Sequence, residues 1–108
     1  MSTRSQRRGR TVRATWRGVV LAESMDTIRV EANDYFPPDA VHWEHLVESP
    51  TTTRCFWKGR AHYLSVAVDD DIAVDAAWYY PRPWPLARAI TDHVAFWGGV
   101  QIERRDDG

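Results

Sequence analysis

Apolar and polar residues alternate along much of this chain with a period of two, the spacing that sends successive side chains to opposite faces of a β-strand. Val12, Ala14 and Trp16 alternate with Arg13, Thr15 and Arg17, and Arg17-Gly18 turns the chain into a second strand, Val19 to Ser24. Ile28, Val30 and Ala32 continue the pattern until Asn33-Asp34 and Pro37-Pro38 break it. Val41, Trp43, His45 and Val47 form the apolar side of the next strand, which ends at Ser49-Pro50. The clearest hairpin follows Gly59. There His62, Leu64, Val66 and Val68 lead into the turn Asp69-Asp70-Asp71, and Ile72, Val74, Ala76, Trp78 and Tyr80 lead out on one face. A single helix is predicted at about residues 85–93, opened by Pro85 at its first position, with Leu86, Ala89 and Ile90 on one side. His93 near its end would then sit against the negative end of the helix dipole. A last strand, Val100 to Arg104, follows Gly98-Gly99. The predicted class is mainly β, with one short α-helix.

Length adds that one core suffices. A chain of 108 residues buries roughly 65% of its unfolded surface without disulfide or metal support. The lone Cys55 has no internal partner, and no apolar run approaches the roughly 18 residues of a membrane span. The Arg-rich start lacks the apolar stretch of a signal peptide, so a cytoplasmic protein with no membrane association is expected.

Charge divides the chain unevenly. Residues 1 to 17 hold Arg4, Arg7, Arg8, Arg10, Arg13 and Arg17 and no acid, which leaves eight basic residues against all fifteen acids in the remainder. The division predicted is a disordered basic arm at 1–10, a single β-rich domain at 11–104 and a polar tail at 105–108. The arm has one functional reading, as an interaction module for nucleic acid. An acidic body would repel phosphates, so a solvated tail is the better reading and nucleic acid is not expected as a partner.

Aromatics concentrate in two segments, Cys55-Phe56-Trp57-Lys58-Gly59 and Ala77-Trp78-Tyr79-Tyr80-Pro81-Arg82-Pro83-Trp84-Pro85, which hold three of the six tryptophans. Each buried Trp or Tyr brings a polar atom that needs a partner, so this density suggests a shaped pocket as well as a core. Lys58 is the only lysine among fourteen basic residues. An ammonium is compact and able to lose its proton where a guanidinium is neither, so a lysine retained here hints at a site that needs one. Trp57, Tyr63, Trp78 and Tyr80 are placed to surround it, by cation–π contact or partial desolvation, with core packing the competing role for Trp78. Cys55 reads as a small buried residue ahead of a nucleophile, because no His is tied to it by a catalytic spacing. The alternating prolines from Tyr80 to Pro85 suit an ordered strand-to-turn connector better than a docking peptide. His42, His45, His62 and His93 are scattered, and with a single Cys no metal site or cofactor is expected.

Together these residues resemble the bacterial domain-of-unknown-function family 427, sometimes labelled a nucleotidyltransferase family. The resemblance spans about residues 11 to 104. It rests on Tyr35-Phe36-Pro37 with Asp39 and Val41, Cys55 with Lys58-Gly59, Ala61 and Tyr63, Ala77-Trp78 with Tyr80-Pro81 and Pro83, and Val94-Ala95-Phe96. The family usually shows Pro after the Cys, where this chain has Phe56. The resemblance implies a compact, mostly antiparallel β domain, barrel-like or built of two packed sheets, with one short α-helix and a pocket lined by the motif residues: Tyr35, Cys55, Lys58, Tyr63, Trp78 and Tyr80, with Trp57 beside them. It implies no known reaction. Nucleotidyl transfer needs carboxylates spaced to hold divalent cations against phosphates, yet Asp69, Asp70 and Asp71 share one turn and Gly98-Gly99 precedes a strand rather than a helix. The expectation is a monomer or weak homodimer that binds a small polar or anionic molecule around Lys58. An enzyme acting on a small polar or nucleotide-like substrate is the alternative.

Overall fold

The structure, a computed structural model, describes residues 10–106. The basic arm expected at 1–10 therefore lies outside the described residues except for Arg10, and the tail does so from residue 107. Arg10 and Asp106, assigned to arm and tail, are strand residues. They pair across β1 and β9, with the Arg10 guanidinium 3.2 Å from the Asp106 carboxylate.

Nine strands form among the described residues: β1 (Arg10–Trp16), β2 (Val19–Ser24), β3 (Ile28–Val30), β4 (Asn33–Tyr35), β5 (Leu46–Cys55), β6 (Gly59–Val68), β7 (Asp71–Tyr79), β8 (Val94–Phe96) and β9 (Gln101–Asp106). They make three antiparallel sheets, ordered β2-β1-β9, β3-β4 and β5-β6-β7-β8, and the described residues do not close into a barrel. One face of the four-stranded sheet packs on the three-stranded sheet, with Leu64, Val66, Val68, Ala77, Val94 and Phe96 against Val12, Ala14, Leu21 and Ala22. Of the two arrangements that the family resemblance implied, barrel-like or two packed sheets, this is the second.

The other face is covered as well. Ala61, Tyr63, Trp78 and Ala95 on that face pack with Ile28, Val30 and Tyr35 of the β3–β4 hairpin and with Ala87 and Ile90. A small second core thus lies behind the main one, and the sheet runs between them.

Four expectations need correction. Val41 to Val47 is not a strand: Trp43–His45 is a 3-10 turn and β5 begins at Leu46. Local bonds fix that turn, from the His42 backbone N–H to the Leu21 carbonyl at 2.7 Å and from the Trp43 indole N–H to the Pro38 carbonyl at 2.8 Å. Pro50 does not end the strand, because β5 is an edge strand and a missing N–H there breaks no ladder; the register only shifts between Glu48 and Thr52. A bulge interrupts the β7 alternation midway. Asp75 adopts φ 54° at a register shift, so Ile72 and Val74 lie exposed while Ala76 and Ala77 are both buried. The Asp75 carboxylate accepts bonds from the hydroxyls of Ser49 and Thr51, which hold that bulge. Finally, the α-helix expected at 85–93 is a 3-10 segment, Pro85–Ile90, interrupted at Ala87 (φ −111°, ψ 15°). Leu86 is exposed, and His93 caps no helix; its Nδ1 lies 2.9 Å from the Thr91 carbonyl.

Candidate functional site

The second core gathers the residues singled out in sequence. Tyr63 and Trp78 are direct cross-strand partners on β6 and β7, so their rings share the face of Ala61. Trp78 stands edge-on to Tyr35, with centroids 6.2 Å apart, and its indole N–H donates to the Tyr35 hydroxyl at 3.1 Å. Tyr80 lies 6.5 Å from Tyr35. Tyr63 stacks at a tilt on Trp78 and its hydroxyl lies 3.3 Å from that of Thr53. These rings pack on one another, and all four carry a polar atom that the sequence had marked as needing a partner.

Lys58 enters this cluster from the turn between β5 and β6. The turn closes on Gly59, which adopts φ 111° and whose absent Cβ would sit 3.4 Å from the Arg82 carbonyl oxygen. The positive φ is what favours glycine here, since the contact itself is of ordinary van der Waals length. The Trp84 backbone N–H donates to the Lys58 carbonyl at 3.1 Å, which ties the turn to the second aromatic segment. Phe56, where the family usually has Pro, is exposed at the tip of this turn. Cys55, opposite Gly59 in the ladder, is partly buried and acts electrostatically on Tyr35, Lys58 and Tyr80.

The Lys58 ammonium lies 5.0 Å from the centre of the Trp57 ring and 5.9 Å from that of Tyr80, within cation–π reach of both. Its charge partner is Glu31, a residue that the sequence reading passed over. One carboxylate oxygen of Glu31 accepts from Lys58 Nζ, and the other accepts from the Trp57 indole N–H at 3.2 Å. Lys58 exposes 7% of its side chain and Glu31 exposes 52%, so the carboxylate stands between the buried ammonium and solvent.

Glu31 is held there by an uncommon turn. Glu31 and Ala32 link β3 to β4 with φ of 52° and 69°, the mirror-image turn that Asn-Gly normally supplies. Two non-glycine residues in the left-handed region cost about 1–2 kcal/mol each. Backbone strain of this kind gathers where a side chain must be aimed. A two-residue gap between short alternating segments was the available sequence signal, but Glu-Ala has no turn signature.

The protonation states follow from burial and pairing. Burial pulls the Lys58 ammonium down, but the bond to Glu31 and its negative charge outweigh that, so the amine is held protonated above its ordinary value. Lys58 and Trp57 hold the Glu31 carboxyl below its usual value. Burial drives the phenols of Tyr35 and Tyr80 upward, so both remain neutral donors at physiological pH. Among the described residues, no three His, Cys, Asp or Glu side chains converge as metal ligands.

The ordered motifs around this geometry match one family model, described as a domain of unknown function, DUF427, across residues 4–106. The chain belongs to the DUF427 family. The match reaches beyond the 11–104 span read from motifs, so it takes in part of the basic arm and half of the tail. No curated protein matches the chain. In this DUF427 domain, no described helix is long and apolar enough to cross a membrane.

Proposed function

We propose that the Lys58 site binds a small anionic molecule, whose head group takes the place of Glu31. The observation that carries this reading is the paired donor set: Lys58 Nζ and Trp57 Nε1 together grip one carboxylate, which comes from a half-exposed residue on a strained turn. An incoming carboxylate meets the same two donors while Glu31 swings into water, where a free carboxylate is well solvated. The rings of Trp57 and Tyr80 then flank the bound head group. A lysine kept protonated by its surroundings is an anchor for charge and is unsuited to act as a nucleophile or to form a Schiff base. This favours a binding domain over an enzyme. Native mass spectrometry of freshly purified protein tests the reading. Extra mass carried by the wild type and absent from Lys58→Met supports it, and identical spectra for the two refute it.

A further inference from the structure

A second feature lies at the same end of the four-stranded sheet and shares with the Lys58 turn only Gly59 and the backbone contacts of Arg82 and Trp84. Arg54 and Arg60 are direct cross-strand partners on β5 and β6. Like charges placed opposite each other in a ladder destabilise it, and proteins usually offset such a pair with a nearby carboxylate. Here none does so. Arg54, Arg60 and Arg82 make no ion pair among the described residues, although the body around them is acidic overall. All three line one cleft of about 220 Å³, closed by the backbone of Gly59 and walled by Trp84, which is 45% exposed. The ladder alternation puts Arg54 and Arg60 on the strand face opposite Cys55 and Ala61, so the cleft and the Lys58 site are separate.

The geometry points to a binding site for a small phosphorylated molecule that carries a flat ring. Three guanidinium groups present planar, multidentate donors that suit a phosphate dianion, whereas a single carboxylate leaves most of that charge unmatched. The cleft is smaller than the ~300–1,000 Å³ of a site for a drug-sized ligand, which fits a phosphate head group with the rest of the molecule outside. Trp84 at the rim offers its exposed face to a ring attached to that head group. A long polyanion is disfavoured, because successive phosphates beyond the cleft meet the acidic body.

Isothermal titration of the full chain with inorganic phosphate, adenosine 5′-monophosphate and adenosine tests the site. The monophosphate binds saturably and tightest of the three. Arg54→Ser and Arg82→Ser each weaken it about tenfold, the loss of a charge-assisted bond. Trp84→Leu removes its advantage over inorganic phosphate, while Arg10→Ser, a charge change at the opposite sheet, leaves binding unchanged. Arg54→Lys keeps the charge and loses the fork, so it weakens binding with an unaltered melting temperature even if Arg54→Ser folds poorly. Lack of saturation with the monophosphate overturns the proposal. So does an equal loss in Arg10→Ser, or tighter binding to a single-stranded oligonucleotide that grows with its length.

Discussion

The buried ammonium of Lys58 is neutralised by Glu31, a half-exposed carboxylate held above it by a turn in which both central residues have positive φ. Neither residue is placed as folding alone would place it. A buried amine is costly to desolvate, and Glu-Ala is a poor choice for a mirror-image turn.

The turn can be relaxed without touching the charge. Ala32 stands at φ 69°, so Ala32→Gly relieves a left-handed strain and stabilises the fold by about 1 kcal/mol. Thermal unfolding is expected to shift upward by about 4 °C. An unchanged or lower melting temperature contradicts a strained turn.

The pair also sets a pH dependence. The Glu31 carboxyl is held below its ordinary 4.5, so its contribution is complete above that value and disappears as pH falls through the lowered one. The Lys58 amine is held above its ordinary 10.5, so its share is complete below that value and disappears as pH rises through the raised one. Glu31→Gln is therefore expected to lose less stability than the wild type between neutral pH and the acid limb, as followed by denaturant midpoints. Parallel acid profiles for the two proteins contradict the pairing.

Lys58→Met removes the desolvated charge and leaves Glu31 free to hydrate. Its stability is expected to stay within about 1 kcal/mol of the wild type, or to rise, because a half-exposed carboxylate suffers little from losing its partner. A loss of several kcal/mol in thermal melts makes Lys58 a structural residue instead.

Trp78 tests the second core. Trp78→Phe keeps a ring against Tyr35 and Tyr63 but removes the indole bond to the Tyr35 hydroxyl, at a cost of about 1 kcal/mol. Trp78→Ala also opens space beside both rings, and about 3 kcal/mol is expected. Equal melting temperatures for the two variants contradict a packed cluster.

Much of the β framework was legible, because strands with one face on a core carry period-two patterning: β1 and β6 follow it closely. The errors arise where backbone irregularity overrides the period. Asp75 interrupts the β7 alternation with a bulge, and its Ser49 and Thr51 partners are more than twenty residues away in sequence. Trp43 fell on an apolar alternation by coincidence, and its indole bond to Pro38 holds a turn there. Aromatic density and a solitary lysine marked Trp57, Lys58, Tyr63, Trp78 and Tyr80, which the fold brings together, while Tyr35 and Cys55 were marked by the motif resemblance. Glu31 was missed because its role depends on turn conformation and on a contact across 27 residues, neither of which is written in spacing.

Because Lys58 is the only lysine, protein grown with labelled lysine gives a single side-chain NMR signal from the centre of the proposed site. The most direct measurement is a titration of that signal with benzoate, a carboxylate on a flat apolar ring, in the wild type and in Glu31→Gln. The account predicts a saturable shift in the wild type and tighter saturation in Glu31→Gln, where the competing internal carboxylate is gone. A lysine signal unmoved by benzoate in both proteins would contradict the claim that Lys58 receives an anionic ligand.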